Sequence, residues 1–347
     1  MRTDIVVGGQ FGSEAKGHVA GILAESAPAE EHTTCIRVGG PNAGHSVADA
    51  TGRVWAFRTV PVAAVVSGMS LYIGPGSEVE VPVLLDEIIR CERAGFPVTK
   101  RMYVDPQVTI LTEDHKAQER DMQERIGSTA KGIGAARADR LWRTAYLAQD
   151  IPSVFEREGI NVGCPPELAR EDAIIEGTQG YGLGLHAGWY PYCTAGDCRN
   201  VDFLAQSGLP LVGRETHTWI VYRAHPIRVA GNSGALVNEI SWDVLHERSY
   251  GYINPEMTTV TKKVRRVADW DDDLAVAALH ANGGPGTRVH PVLSFVDYLD
   301  PSLAGSVSFD QLRRSEAWPT IEQHEDALGW QFELFTTGPA SHIWDMR

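Results

Sequence analysis

The chain has 347 residues, enough to bury a large core in one domain or two. Its formal net charge of −14 argues against a general nucleic-acid binder, which shows a basic face, yet leaves room for a small phosphorylated ligand held by a local cluster of cations. Its five cysteines include no CxxC pair, which argues against a disulfide framework or a cysteine metal centre and suggests reduced thiols.

Taken in chain order, strand-like apolar runs alternate with helix-like segments. DIVVGG (4–9) leads through a glycine-rich turn into HVAGILAE (18–25), and TTCIRVGG (33–40) and SLYIGPG (70–76) follow. The amphipathic stretch VPVLLDEIIRCERAG (81–95) precedes RMYVDP (101–106), and a second one, TEDHKAQERDMQERIG (112–127), precedes DAIIEGTQG (172–180). HTWIVYRAHPIRV (217–229), VLSFVDYLD (292–300) and WQFELFTTG (330–338) complete the strands. This alternation predicts an α/β fold with a largely parallel central sheet and flanking helices, its ligand loops at the glycines that end the strands. No linker marks a boundary, so 1–347 reads as a single domain with inserted loops. Asp271–Asp273 reads as a solvated loop or a helix start. No apolar run approaches the roughly 18 residues of a membrane span, and Met1 and Arg2 run straight into strand-like sequence without a signal peptide. These features predict a cytoplasmic protein (the host cytoplasm for a viral one) with neither membrane nor nucleic acid as partner.

Two loops carry the chemical signal. In GGQFGSEAKG, strand, glycine turn and helix start succeed one another, the geometry that aims backbone N–H groups at phosphate. A P-loop would read G-x-x-x-x-G-K-[ST], but here Ala15 precedes Lys16 and Gly17 follows it, so the hydroxyl that would meet Mg²⁺ is missing. In VGGPNAGHSV (38–47), glycines flank Asn42, and His45 sits between Gly44 and Ser46, a second backbone cradle with a proton donor inside it.

With these loops the sequence resembles the adenylosuccinate synthetase family, which joins aspartate to C6 of a purine nucleotide at the expense of a nucleoside triphosphate. GSEAKG is similar to that family's GDEGKG, and NAGHS to its NAGHT. IGSTAKGIGAARADRLWR (126–143) resembles its purine-monophosphate loop, EGTQGYGLGLHAGWYPYCT (176–194) its EGAQG…YPFVT segment, and TTVTKKVRR (258–266) its aspartate loop. LSFVDYLD and FTTGP resemble the segments that hold the donor base.

The resemblance implies a set of sites. For the triphosphate they are Gly12, Ser13, Glu14, Ala15, Lys16, Gly17, Gly44, His45 and Ser46, with Phe295, Asp297, Thr337, Gly338 and Pro339 around its base. For the purine monophosphate they are Ser13, Asn42, Ser128, Thr129, Gln179, Leu183 and Thr194, with Arg143 reaching across a homodimer interface. For aspartate they are Thr259, Val260, Thr261, Lys263, Arg265 and Arg266, whose local cations suit a dicarboxylate. Mg²⁺ is implied as cofactor, with Gly44 and Ser13 as its protein ligands.

Ser13 departs from the family. Its aspartate there is the base that removes the N1 proton, while His45 corresponds to the residue that stabilises the transferring phosphoryl group. A serine hydroxyl, un-ionised at neutral pH, does not suit the base role. Guanine shares the N1–H and O6 of hypoxanthine and adds a 2-amino group. A shorter side chain makes room for that group, and the hydroxyl can accept from it. GSEAKG thus resembles a viral branch of the family, whose members convert dGMP to a succino derivative on the way to diaminopurine DNA. The expected reaction joins L-aspartate to dGMP, with Ser13, Glu14, Lys16 and His45 as the catalytic set. Glu14 is the nearest candidate for the missing base, with a water or the phosphate itself as alternatives. Where relatives that use GTP carry KLD, this chain has Phe295, Val296 and Asp297, which favours ATP or dATP as donor. Ordinary adenylosuccinate synthesis from inosine monophosphate and a non-catalytic nucleotide binder remain the alternatives.

Overall fold

The computed structural model describes residues 1–28, 33–257 and 263–347. Its centre is a ten-stranded sheet in the order Ser341–Trp344, Leu334–Gly338, Val289–Ser294, Glu215–Arg223, Arg2–Gly8, Asp172–Glu176, Thr33–Arg37, Ser70–Ile73, Met102–Val104 and Asn161–Val162. Every neighbouring pair is parallel except Leu334–Gly338 with Ser341–Trp344. The predicted α/β class and largely parallel sheet are therefore borne out.

The period of two along each strand divides the core between the two faces. Val6, Cys35, Leu71 and Ile73 pack on one side with Val19 and Ile22 of the helix Lys16–Ser26. Ile5, Val7, Ile36 and Tyr72 pack on the other with Ala275 and Ala278 of the helix Asp272–Ala281. Strands buried on both faces read as unbroken apolar runs, which is why they are legible in the sequence.

Two runs read as single elements are divided. HTWIVYRAHPIRV leaves the central sheet at Arg223, and Ile227–Arg228 joins an antiparallel three-stranded sheet with Arg266–Ala268 and Glu239–Ile240. Pro226, which lacks an N–H, lies between the two strands. TEDHKAQERDMQERIG forms two short helices, Glu113–Gln118 and Arg120–Ile126. Asp271 caps the helix Asp272–Ala281 by accepting from Leu274 N, so the acidic run is a helix start.

Candidate active site

GSEAKG, NAGHS, GTQG and FVD follow the carboxyl ends of the parallel strands Arg2–Gly8, Thr33–Arg37, Asp172–Glu176 and Val289–Ser294, where open α/β sheets bind their ligands. In the first, Glu14 is fully buried and organises the turn from inside. Its Oε1 accepts from Gly12 N at 2.6 Å and Gln10 N at 3.3 Å, and its Oε2 takes a 2.6 Å hydrogen bond from buried Lys16 Nζ. Both oxygens of this candidate base are thus engaged. Ser13 and Ala15 adopt left-handed φ of 62° and 69°, conformations that non-glycine residues rarely take. Charged residues alternate inward and Ser13 outward, so its side chain is exposed.

The second loop lies against the first. At Gly17 a Cβ would come within 2.6 Å of His45 Cβ, so only glycine admits the NAGHS loop this close to the helix start. His45 is buried, its Nδ1 3.0 Å from Glu176 Oε2. Arg37 donates to that same oxygen at 3.1 Å, while Val62 N, at 2.6 Å, and the Cys35 thiol donate to Oε1. Arg37 also donates to the carbonyl of Ala43 at 2.7 Å, tying the loop to the same network. Burial, then the Arg37 charge, push the His45 pKa down to about 3, so the ring is neutral. Burial disfavours the charge on Glu176, but the hydrogen bond from His45 and the charge of Arg37 hold its carboxyl below the ordinary range. Because a carboxylate only accepts, Nδ1 is assigned the proton and Nε2 the lone pair. Nε2 is buried and has no hydrogen-bond partner among the described residues.

Asn42, Gln179 and Thr194, from two of the predicted segments, line one cleft. Leu183 packs beside Gly12, and its carbonyl accepts from Thr194 N at 2.7 Å. Ser128 and Thr129 do not line that cleft; they follow Gly127, which packs on Ser233, and the Ser128 hydroxyl accepts from Ala130 N at 3.1 Å. The cation in the cleft is Arg137, whose Nε donates to Glu78 at 2.6 Å. Its Nη1 passes within 2.0 Å of where a Gly196 Cβ would be. Arg143 ends the helix Ile133–Trp142 on the exposed surface, flanked by exposed Leu141, Trp142 and Tyr146.

Of the aspartate set, Thr259, Val260 and Thr261 lie outside the described residues. Arg265 donates to the Ser13 hydroxyl, and Lys263 is exposed. Arg266 turns away, pairing with Glu239 and donating to Gly234 O at 2.6 Å. The hydroxyl of Ser13 therefore faces a guanidinium, a setting that suits a polar or anionic neighbour and not a bound Mg²⁺.

At the donor-base segments, Phe295 carries the guanidinium of buried Arg223 3.8 Å above its ring. Arg223 also forms a bidentate pair with Glu256 and donates to the Ser13 carbonyl at 3.3 Å. Asp297 is buried: its Oδ2 accepts from the Tyr252 hydroxyl at 2.7 Å and its Oδ1 has no hydrogen-bond partner among the described residues. The Thr337 hydroxyl is held by Ser306 O at 2.7 Å, and Gly338 and Pro339 follow at the end of the neighbouring strand.

Sequence reasoning missed Arg37, Glu176, Arg223, Glu256, Tyr252 and Arg137 as site residues. A signal did exist for three of them. Arg37, Glu176 and Arg223 each close an apolar strand of the central sheet with a charge, at the edge where ligands gather.

Known proteins share this sequence pattern and fold. The family model for adenylosuccinate synthetase matches residues 5–158. A Vibrio phage phiVC8 protein named N6-succino-2-amino-2'-deoxyadenylate synthase is 36% identical over 76% of this chain and 78% of its own length. The adenylosuccinate synthetase of Methanococcus aeolicus is 30% identical over 99% of this chain and 98% of its own. Among solved structures, the cyanophage S-2L succinoaminodeoxyadenylate synthetase, bound to dGMP and to dATP as an energy donor, superposes with a TM-score of 0.79 at 26% identity, covering 98% of this chain and 93% of that one. The Plasmodium falciparum adenylosuccinate synthetase shares the fold, with a TM-score of 0.80 at 18% identity over 99% and 100% of the two chains. The chain belongs to the adenylosuccinate synthetase family. It is a carbon–nitrogen ligase with relatives in the viral branch that GSEAKG resembles.

Proposed function

We propose that the protein joins L-aspartate to C6 of dGMP, using ATP or dATP, to give N6-succinyl-2-amino-2'-deoxyadenylate, a nucleoside diphosphate and phosphate. The observation that carries this reading is Ser13. It projects from a loop shaped by Glu14 and Lys16, and offers a hydroxyl held by Arg265 where the family places a carboxylate. A hydroxyl there can meet the guanine 2-amino group, and the dGMP bound by the cyanophage relative supports the same substrate.

In the first step O6 attacks the γ-phosphorus, the bond to the leaving diphosphate breaks, and N1 loses its proton. The amine of aspartate then adds at C6, phosphate leaves, and the amine gives up a proton. Glu14, with both oxygens engaged, is assigned to holding the loop and Lys16, which leaves the N1 proton to water or to the phosphate. His45 faces the transferring group through Nε2. Negative charge arriving there favours protonation of the ring, which Glu176 then supports from the other side.

Mg²⁺ would neutralise triphosphate charge. Among the described residues no three His, Cys, Asp or Glu side chains form a cage for it, which fits an ion held mainly by phosphates and water. The exposed Gly44 is assigned as its backbone ligand, and Ser13 is not. Exposed Leu141, Trp142 and Tyr146 around Arg143 support a homodimer in which Arg143 reaches the partner's nucleotide. No helix among the described residues is long and apolar enough to cross a membrane, and the reaction is assigned to the host cytoplasm.

The test is phosphate release with ATP, Mg²⁺ and aspartate, adding dGMP, GMP or inosine monophosphate in parallel, with mass spectrometry of the adduct. Turnover with dGMP and not inosine monophosphate is the expected result. Turnover with inosine monophosphate alone would instead make the protein an ordinary adenylosuccinate synthetase, as its archaeal relatives are named.

A further inference from the structure

We propose that Tyr252 selects the base of the energy donor, by occupying one of the two oxygens with which Asp297 could read a nucleobase. This rests on the reading of Phe295 and Asp297 as the donor-base pocket. Asp297 follows the strand Val289–Ser294 at the ligand edge of the sheet, and only 4% of it is exposed. A buried carboxylate oxygen without a donor is costly, so Oδ1, which has no partner among the described residues, marks a place for an N–H from outside the chain. The second oxygen is filled from within. Tyr252, 45 residues away in sequence, donates its hydroxyl to Oδ2 at 2.7 Å, and its ring meets Tyr298 edge-on at 6.5 Å.

The number of acceptors left decides between purines. Guanine presents two adjacent donors, N1–H and the 2-amino N–H, which together suit the two oxygens of a free carboxylate. Adenine presents an exocyclic 6-amino N–H beside an acceptor nitrogen, and one oxygen satisfies it. With Oδ2 committed to Tyr252, a guanine brings one N–H too many into a buried site. The cost of an unpaired buried group corresponds to roughly a 10- to 100-fold discrimination. Tyr252 therefore favours ATP or dATP over GTP, while Phe295 and Arg223 supply a stack that does not distinguish the two bases.

The experiment measures binding of the non-hydrolysable imido analogues of ATP and GTP to the full chain by calorimetry, for the wild type and Tyr252→Phe. The expected result is a wild type that prefers the ATP analogue and a variant that gains affinity for the GTP analogue by about 10-fold, with the ATP analogue little changed. Equal weakening of both analogues, or an unchanged ratio, would overturn the proposal, because a merely structural tyrosine moves both alike. A second measurement needs no variant. The wild type should bind the inosine analogue, which lacks the 2-amino group, more tightly than the guanosine one, and the reverse order sinks the idea. Because binding requires no turnover, failure of the ligase reading shows separately, as absent phosphate release with donor discrimination intact.

Discussion

The Nδ1 of His45 lies 3.0 Å from Oε2 of Glu176, and both groups are buried. The unfolded chain takes up a proton on this histidine below its ordinary pKa of 6.5, whereas the folded ring stays neutral down to about 3. Between those values the unfolded state binds more protons, so stability falls as the pH falls. The depressed Glu176 carboxyl acts in the same direction: its contribution is present above its ordinary 4.5 and is lost as the pH drops through its lower folded value. His18 and His324, both lowered to about 4 chiefly by burial, add to the slope. His45→Gln should therefore flatten the fall in stability between pH 6.5 and 4.5 by up to about 1.4 kcal/mol per pH unit. Urea unfolding across that range reads the difference; identical slopes in the two proteins would show that His45 already carries a proton in the fold.

Glu14→Gln keeps the size of the side chain and an acceptor for Gly12 N but leaves the buried Lys16 charge without its partner. The expected loss is about 3–5 kcal/mol of stability, measurable by chemical denaturation, with turnover falling as the loop loosens. A variant as stable as the wild type yet devoid of turnover would restore Glu14 to the role of base.

Arg137→Gln should weaken dGMP about 10- to 100-fold while leaving deoxyguanosine, which lacks the phosphate, nearly unchanged. The reason is that Arg137 lines the cleft shared by Asn42, Gln179 and Thr194, where Glu78 orients its guanidinium through Nε and Nη2. Calorimetry with the two ligands separates loss of a phosphate contact from general damage, which would weaken both.

The exposed apolar group around Arg143 predicts that Trp142→Glu lowers the mass seen by analytical ultracentrifugation to that of a monomer and abolishes turnover with dGMP. Trp142 is 77% exposed in the single chain, an unusual place for the largest apolar side chain. Mixing two inactive variants, Arg143→Ala and Lys16→Ala, should restore activity in hybrid dimers, since one of the two sites then receives both native residues. No recovery on mixing would confine Arg143 to its own subunit.

The strands were legible because a parallel sheet covered on both faces writes itself as short, unbroken apolar runs, such as DIVVGG and DAIIEG. The loops were legible because glycine, histidine and hydroxyl residues seldom crowd together without a ligand. The supporting residues were harder to see. Glu256 and Tyr252 belong to an irregular segment, and their roles appear only when Arg223 and Asp297 are brought to them across 33 and 45 positions of sequence. Glu14 looked like a base because it is next to Ser13 in the chain. A left-handed turn at Ser13 sends the two neighbouring side chains in different directions, and nothing in the residue order predicts that turn. Pro226 could have divided HTWIVYRAHPIRV, because a proline rarely lies within a central strand.

The loop's shape depends on Glu14, Lys16 and the backbone of Gly12, and not on the side chain at position 13. With the role proposed for Ser13, substrate choice and loop architecture are separable traits. The left-handed backbone at that position favours glycine, asparagine, aspartate and other short polar residues. A lineage can exchange one of these for another without rebuilding the turn, which, with the role proposed for Ser13, would open the same loop to a different purine.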